Sequence, residues 1–524
     1  MLRFDAYIHG VPAEKLNLSG AYLFGQESVP ARAEITAIGG EISCVKRAPG
    51  ASGLALLWEA GAAGAMMLPT TRLPDRKNPY NLNIELARAR MMLVAKKRED
   101  WGLWDLPSAE HLTAGYDKTR KMLIEAIKVN PDNPGQAALL ADECLAQAIV
   151  LAEQTTLFHA EAFLGRRRKS STARCGFGGT AGLFSFSDAY CERLAEAVDF
   201  VSVPVPWKHT EPKERQTQFQ QVDAWTEWCI QRHLPIHAGP LVSFDPGIAP
   251  EWLYIWEHDY ETLREMIYEY VQRMVTRYAK RVRTWNVISG VHAHNSFNLS
   301  FEQIMELTRM SCSLVKKLSP RANVVIDLVM PWGEYYARNQ RTIPPLLYAD
   351  MCVQSGVKFD AFGVQLYMGS ATDGMYVRDL MAISDMLDQF APFSKPLHIT
   401  ACQVPSDTAP DRWDAWQGQA KTDQAGVWRR PWDPATQAEW LEAFYRVALS
   451  KPYIESICWR DLADTDSHYL PHGGLCRNDL TPKPAFTSLK TLRANMTPPS
   501  GAPASDKARR RVPPGETPSS PPGK

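Results

Sequence analysis

From about residue 173 the sequence alternates short apolar runs with longer amphipathic segments, and this alternation limits the possible folds more than any other feature. The apolar runs predict eight strands, at residues 173–177, 200–205, 236–242, 284–288, 324–328, 361–366, 397–400 and 456–459. The segments between them place apolar residues on one helical face, as residues 263–278 do. Strands that alternate with helices form parallel sheets, so residues 173–495 predict an α/β fold, a closed (β/α)8 barrel.

The chain before the barrel has a different pattern. Residues 1–115 contain short apolar runs broken by glycine and proline, which predicts a small β-sandwich, with one helix at residues 84–91. Such a domain beside a barrel is, by analogy, often carbohydrate-binding; a domain that only packs against the barrel is the alternative. Residues 116–172 predict a helical connector. Its closing run, Arg166-Arg167-Arg168-Lys169, is interpreted as a solvated helix end rather than a phosphate or nucleic-acid site.

Composition excludes several classes of partner and site. Lysine plus arginine equals aspartate plus glutamate at 58 each, which argues against nucleic acid or an anionic membrane as partner. The ten cysteines form no Cys-x-x-Cys pair and are predicted to be reduced core thiols, with no metal or other cofactor. No signal peptide or membrane span is visible, so we expect a cytoplasmic protein. Residues 496–524, rich in proline, serine and basic residues, are predicted to be disordered.

Two predicted strand ends carry the most specific motifs. The fourth strand ends in Trp285-Asn286-Val287-Ile288-Ser289-Gly290, and the seventh in Pro396-Leu397-His398-Ile399-Thr400-Ala401. They resemble the catalytic strands of glycoside hydrolase family 10, the endo-1,4-β-xylanases, which end in Trp-Asp-Val-Val-Asn-Glu and Ile-Thr-Glu. The resemblance implies hydrolysis of β-1,4-xylosidic bonds by an acid/base glutamate and a nucleophilic glutamate. Those two positions are Gly290 and Ala401 here, and a retaining glycosidase requires both carboxyl groups.

The other strand ends show which parts of the family pattern are retained. Trp207 and Glu211-Pro212 match the segment after the second strand, and Gln365 matches the sixth, where the family's histidine is Tyr367. The third strand lacks the family's two histidines and tryptophan. The run from Trp459 to Asp464 resembles the family's Trp-Gly-Val-x-Asp at the eighth strand. Scaffold positions are therefore retained, whereas the polar residues of the central sugar site are not.

Several side chains remain candidates for a site at the carboxyl ends of the strands. The candidate cleft residues are Trp207, Gln365, Tyr367, Trp459 and Trp428. Acids that could replace the missing pair are Asp245, Glu334, Asp407 and Asp464. His292 and His294 could begin a metal site, but a polar loop is favoured because no further ligand cluster accompanies them. Trp413, Trp416, Trp428 and Trp432 after the seventh strand could stack on sugars or form a local core, and both alternatives stay open.

Three classes of function follow from these observations. The first is a catalytically impaired barrel that binds a poly- or oligosaccharide. The second is an active glycosidase with relocated carboxylates, and the third is a non-catalytic interaction or structural protein on a barrel scaffold. The lack of a visible export signal favours the third. In all three, Gly290 and Ala401 are expected at the carboxyl ends of the fourth and seventh strands, facing each other across a solvent-filled cleft.

Overall fold

The computed structural model describes residues 1–47, 49–103, 107–169, 175–465 and 468–496. Its N-terminal part contains two main sheets and a small hairpin. The strands are β1 (Leu2–Asp5), β2 (Tyr7–Ile8), β3 (Val11–Pro12), β4 (Tyr22–Phe24), β5 (Pro30–Ala31), β6 (Ala33–Ile38), β7 (Glu41–Lys46), β8 (Gly53–Glu59), β9 (Gly64–Pro69) and β10 (Tyr80–Asn81). One sheet has the order β10-β1-β7-β6, and in the other β9, β8, β4 and β5 are consecutive. Buried side chains of both sheets, such as Phe4 and Leu54, belong to one core, consistent with the predicted sandwich.

Three long helices follow: α1 (Leu82–Asp100), α2 (Glu110–Val129) and α3 (Pro134–Lys169). The helical region therefore begins before the predicted boundary at residue 116. Asn81 caps α1 by accepting a hydrogen bond from the N–H of Ile84, and α1 packs along α3. The local signal of residues 84–91 was correct, but it marked only the first half of a helix that belongs with α2 and α3.

The remaining strands close an eight-stranded parallel barrel, which confirms the predicted fold class. They are β11 (Gly176–Thr180), β12 (Phe200–Pro204), β13 (Ile236–Gly239), β14 (Thr284–Ser289), β15 (Asn323–Leu328), β16 (Ala361–Tyr367), β17 (Leu397–Gln403) and β19 (Ile454–Trp459). Between the seventh and eighth barrel strands, β18 (Val427–Trp428) leaves the barrel and pairs with β9, becoming the fifth strand of the second N-terminal sheet. The first barrel strand starts at Gly176, and residues 173 and 174 lie outside the described part.

Helices surround the barrel as the periodicity predicted. They are α4 (Asp188–Ala197), α5 (Trp207–Thr210), α6 (Gln220–Gln231), α7 (Tyr260–Tyr278), α8 (Phe301–Leu318), α9 (Pro345–Gln354), α10 (Leu380–Asp388), α11 (Pro434–Ser450) and α12 (Pro484–Met496). Ser300 and Gln303 form a capping box at the start of α8, fixing its first turn. The predicted disordered tail, apart from Met496, lies outside the described residues and is untested.

Helix α3 corrects two predictions. By length and composition it is apolar enough to cross a membrane, contrary to the sequence interpretation, but half of its most apolar window is buried. It packs against α1, α2, α10 and α11, so its apolar faces form part of the core.

The basic run at the end of α3 also differs from the prediction. There Arg167 donates hydrogen bonds to the carbonyl oxygens of Leu449, Lys451 and Ile454. This arginine therefore docks on the barrel rather than lying in solvent; the cytoplasmic location stays a prediction.

Buried ion pairs join the N-terminal part to the barrel. The Arg90 guanidinium on α1 makes a bidentate contact with Asp379, which also caps α10, at 2.8 and 2.6 Å. Glu153 on α3 accepts from the Arg429 guanidinium at 2.7 Å and from the Trp428 indole N–H, also at 2.7 Å. In each contact a buried carboxylate faces its counterion. Removing the arginine would leave the carboxylate buried and uncompensated, which would destabilise the interface.

Candidate functional site

The glycine that ends the fourth strand motif has no space for a larger side chain. Gly290 directly follows β14, as predicted, and its N–H donates to the carbonyl oxygen of Asp327. Its φ of +66° lies in the left-handed region, which disfavours any residue with a Cβ. A Cβ built there would lie 3.0 Å from His294 Cδ2 and 3.0 Å from Val329 Cγ2. The backbone and its neighbours are therefore fitted to glycine.

The alanine of the seventh strand motif is also enclosed. Ala401 lies in β17, near its carboxyl end as predicted, and is 3 % exposed. It belongs to an apolar cluster with Tyr367, Met375 and Leu470, and Trp416 and Tyr469 pack against this cluster. The expectation that both positions border a solvent-filled cleft is wrong in this structure, because side chains from neighbouring loops fill the space beside each of them.

A buried carboxyl group that the sequence analysis did not select lies between these two strands. Asp327, on β15, is fully buried. Its oxygens accept hydrogen bonds from Gln365 Nε2 at 2.6 Å, Ser289 Oγ at 2.8 Å, Asn286 Nδ2 at 3.1 Å and Thr400 Oγ1. Burial raises the pKa of Asp327, and the four donors offset that rise only in part. The network joins β14, β15, β16 and β17, so its evident role is to fix these strands relative to one another.

The two histidines after β14 do not form a metal site. His292 is buried; its Nε2 accepts from the N–H of Val329, and its Nδ1 donates to the hydroxyl of Tyr335. Burial lowers the pKa of His292 to about 3, so the ring is neutral. The His294 Nε2 atom lies 3.6 Å from a carboxylate oxygen of Asp245. Among the described residues no group of three potential metal ligands occurs, and the interpretation of this segment as a polar loop stays a prediction.

Of the four candidate relocated acids, Asp245 is the one paired with a residue beside Gly290. Glu334 is buried and its Oε1 lies 2.6 Å from the Arg378 guanidinium, beneath the N-terminal sheet. Asp464 pairs with Lys483 at 2.6 Å, and Asp407 is exposed and caps a turn. The sequence placed these acids correctly after strand ends, but it could not show that ion pairing would occupy Glu334 and Asp464.

Three of the five candidate cleft residues are buried scaffold. Trp428 pairs with β9 in the N-terminal sheet and is fully buried, so its assignment to the cleft is wrong. Trp207, 2 % exposed, stacks on Tyr270 and donates to Glu211. The fully buried Trp459 donates its indole N–H to the carbonyl oxygen of Gly473. An indole enclosed in this way has no free face for a sugar ring.

The other two candidates, Gln365 and Tyr367, lie near a small group of aromatic and charged side chains. This group is at the mouth of the barrel, the end where the carboxyl ends of the strands lie. Gln365 binds Asp327, and Tyr367 contacts Tyr469 with ring centroids 4.5 Å apart. Trp416 lies 5.4 Å from Tyr469 on its other side, and Trp413 is 43 % exposed. Within the tryptophan-rich loop, Trp428 and Trp432 are core, whereas Trp413 and Trp416 are accessible, so sugar stacking stays a prediction for these two alone.

Arg460 completes this group and was missed as a site residue. It follows β19, and its guanidinium carbon lies 5.4 Å from the centroid of the Tyr469 ring. The sequence did contain a signal for it, since arginine stands here where the family motif has glycine. We call Tyr367, Trp416, Arg460 and Tyr469 the mouth cluster.

A family profile identifies the barrel. The profile of glycosyl hydrolase family 10 matches residues 204–492, which is more than half of the chain. The chain belongs to glycosyl hydrolase family 10. The family's defining region thus runs from the end of β12 into α12, and the N-terminal sheets and α1 to α3 lie outside it.

Solved family 10 structures are also similar to this chain. Native xylanase 10B from Thermotoga maritima is 16 % identical, with a TM-score of 0.46, over 64 % of this chain and 98 % of that one. Xylanase B from Clostridium stercorarium F9 is 16 % identical, with a TM-score of 0.46, over 63 % of this chain and 98 % of that one. No curated protein matches the chain.

Proposed function

We propose that this family 10 barrel binds a glycan at its mouth and has lost the hydrolysis of β-1,4-xylosidic bonds. The observation that carries the proposal is the state of the two positions that the motif resemblance assigns to the catalytic glutamates. Gly290 and Ala401 bear no carboxyl group, and both are packed against neighbouring side chains. A retaining mechanism requires one carboxyl group to protonate the leaving oxygen and a second to attack the anomeric carbon.

The other acids near the barrel mouth support the loss of hydrolysis. Glu334 and Asp464 are held by ion pairs, and Asp327 is enclosed by four hydrogen-bond donors. Each lacks the free carboxyl oxygen at an open surface that attack on a sugar ring requires. Of the four candidate acids, Asp245 and Asp407 are the more accessible; Asp245 contacts His294 and Asp407 caps a turn. A retaining reaction requires two carboxyl groups about 5 Å apart.

The mouth cluster supports binding. Sugar rings present apolar faces that stack on aromatic side chains, and Trp416 and Tyr469 are half-buried with a polar neighbour in Arg460. Exposed Trp413 extends this aromatic surface along the same loop. A partly exposed aromatic group beside a fixed cation has the composition of a saccharide site rather than of a buried core.

The N-terminal sheets favour a short glycan over a long polymer. Strands β4 and β5 contact the turn Glu334–Ala337 that follows β15, and the N–H of Met67 donates to the carbonyl oxygen of Val377 after β16. Strand β18 ties the loop after β17 to the same sheet. Segments of the loops after three of the eight strands are thus covered, which narrows the approach to the mouth cluster, while Trp416 in the loop after the seventh strand stays partly exposed.

A second candidate function rests on the contact between Asp245 and His294. A carboxylate 3.6 Å from an imidazole is an arrangement found in general-base catalysis, and it lies beside Gly290. This pair would allow a hydrolase with a different mechanism from that of the family. It would be distinguished by activity that disappears in Asp245→Asn.

The test combines turnover and binding. We expect the purified full chain to release no reducing sugar from xylan above a blank preparation, and to bind xylo-oligosaccharides in isothermal titration calorimetry. Trp416→Ala should weaken that binding about tenfold, since stacking on an aromatic ring contributes on the order of 1 kcal/mol. Tyr268→Ala, on α7 at the outer surface of the barrel, is the matched control and should leave affinity unchanged.

Two results would overturn the proposal. Xylan hydrolysis by the unmodified chain would show that catalysis persists, and its loss in Asp245→Asn would assign it to the second candidate. Absence of binding to every glycan tested would leave the scaffold interpretation as the one supported.

A further inference from the structure

The position of Arg460 is fixed by the barrel itself. Its N–H donates to the carbonyl oxygen of Cys402, which ties the end of the eighth strand to the seventh. Trp459, immediately before it, is locked by its hydrogen bond to the carbonyl oxygen of Gly473. The guanidinium is therefore presented at the mouth by rigid backbone, next to the Tyr469 ring.

The guanidinium has no carboxylate partner among the residues that the structure describes, in which residues 466 and 467 are not included. The neighbouring acid, Asp461, accepts instead from Gln403 Nε2 at 2.9 Å and from the N–H of Tyr469 at 2.7 Å. Asp245 is directed to His294. The Asp461 carboxylate still attracts the Arg460 guanidinium through space, without an ion pair. The hydroxyls of Tyr367 and Tyr469 are uncharged at neutral pH, because burial raises the pKa of both.

The arginines at the interface with the N-terminal part differ from Arg460. Arg90 and Arg429 contact carboxylates across that interface, and Arg378 contacts Glu334 beneath the N-terminal sheet, each at 2.6 to 2.7 Å. Arg460 is partly exposed and its guanidinium contacts no carboxylate among the described residues, so its donors are open to an anionic ligand. Its five N–H donors in a planar fork match a carboxylate or a phosphate-like group.

We propose that Arg460 makes the mouth cluster a receptor for anionic saccharides, in which the guanidinium binds an acidic group on a sugar ring that stacks beside Tyr469. The acidic group is a carboxylate, as in a uronic acid, or a sulfate or phosphate ester with the same charge and acceptor geometry. This inference rests on the proposed glycan binding and names the chemical class of its ligand.

The substitutions at the other two strand ends act in the same direction. By the motif resemblance, two carboxylates are replaced by Gly290 and Ala401, a glycine is replaced by Arg460, and the following valine is replaced by Asp461. An anionic sugar would be repelled by two glutamates at short range, and their absence removes this repulsion. Together these changes remove two negative charges and add one charge of each sign, so the mouth becomes less negative and gains a cation.

The experiment compares ligands that differ only in charge. The full chain is titrated with tri-galacturonic acid, with its methyl ester and with xylotriose, at low and at high salt. We expect the free acid to bind about tenfold more tightly than the ester, and this ratio to shrink as salt screens the charge. A sulfated trisaccharide and inorganic sulfate form two further arms, which identify the acidic group and show whether the sugar ring is required.

The variants assign the effect to one residue. Arg460→Gln should remove the preference for the acid while the ester still binds, and Arg460→Lys should restore part of it. Arg446→Gln, at an exposed ion pair on the outer face of α11, is the matched control and should retain the full preference. Equal melting temperatures of the four proteins would confirm that each is folded.

The outcomes separate this inference from the proposed function. Equal affinity for acid and ester overturns the role of Arg460 but leaves glycan binding intact, and so does a preference that survives in Arg460→Gln. Binding to inorganic sulfate as tight as to the sulfated sugar overturns the saccharide part of the inference. Failure of all four trisaccharides to bind overturns both the inference and the proposed function.

Discussion

The interface between the N-terminal part and the barrel can be compared with the barrel mouth, because both contain charged side chains that are wholly or partly removed from water. At the interface Arg90, Arg378 and Arg429 contact Asp379, Glu334 and Glu153, respectively. At the mouth, among the described residues, Arg460 has no such partner, and the buried carboxyl group of Asp327 is bound by neutral donors.

The difference shows how the same chemistry serves two purposes. A buried charge that is paired with a counterion of the same chain holds two parts of the fold together, and it is not available to a ligand. A cation held at an opening without a counterion remains available to a ligand.

The largest expected effect is at the strand that joins the two regions. Trp428→Ala should lower the free energy of unfolding by about 3–5 kcal/mol, because it empties a fully buried site and removes a donor from Glu153. Trp413→Ala, an exposed tryptophan on the same loop, should change stability by less than about 0.5 kcal/mol. Denaturant unfolding measures both. Similar losses in the two variants would show that Trp428 is not part of the core.

A second prediction compares a buried with an exposed ion pair on α1. Arg90→Met leaves the Asp379 carboxylate buried and uncompensated, which should cost about 3–5 kcal/mol. Lys96→Met breaks a pair with Asp385 in which the lysine is 60 % exposed, and should cost less than about 1 kcal/mol. Both are measured by denaturant unfolding at neutral pH. If Arg90→Met costs no more than Lys96→Met, these buried pairs do not hold the interface.

At the mouth, adding a single methyl group at Gly290 should measurably lower the free energy of unfolding. Gly290→Ala should destabilise the protein by about 1–3 kcal/mol, because φ is +66° and the new Cβ meets Val329 and His294. Gly102→Ala, at φ +61° with nothing within 4 Å of the added Cβ, isolates the backbone contribution and should cost less. Equal losses of stability would mean that the neighbours of Gly290 move aside easily.

The same crowding bears on catalysis. Gly290→Glu combined with Ala401→Glu is expected to show little or no xylanase activity.

The smallest effect is a pair of opposite pH dependences. The pKa of Asp388 at the interface is lowered: burial raises it, but Lys451 and Lys97 outweigh that effect. Its contribution to stability is therefore present above the unfolded-state pKa of 3.8 and is lost as pH falls through the lower folded-state pKa. The cost of Asp388→Asn should consequently shrink on acidification.

Asp327 at the mouth should behave in the opposite way. Burial raises its pKa, so the folded protein takes up this proton more readily than the unfolded chain does. Stability from this group is then greatest at low pH and decreases as pH rises from 3.8 through the folded-state pKa. The cost of Asp327→Asn should grow on acidification. Denaturant unfolding of both variants and the parent between pH 3 and 7 tests the contrast, which the same sign in both variants would refute.

Local sequence patterns determined the barrel and the ends of its strands. Eight apolar runs separated by amphipathic segments specify parallel strands and covering helices, because each unit buries its own apolar face in the same way. The motifs ending at Gly290 and Ala401 consequently lie on the fourth and seventh strands, as predicted. The capping box at Ser300 is equally local, since Ser300 and Gln303 lie within one helical turn.

Contacts between residues far apart in the sequence decided the rest. Periodicity cannot show that Trp428 joins a sheet that begins near residue 22, that α3 buries its apolar faces against barrel helices, or that Arg378 meets Glu334. Nor could it show that Asp327 collects donors from three other barrel strands, while Arg460 meets no carboxylate among the described residues. A residue's type limits which partners it can accept, but burial and pairing depend on where the whole chain places those partners, and only the tertiary structure fixes that.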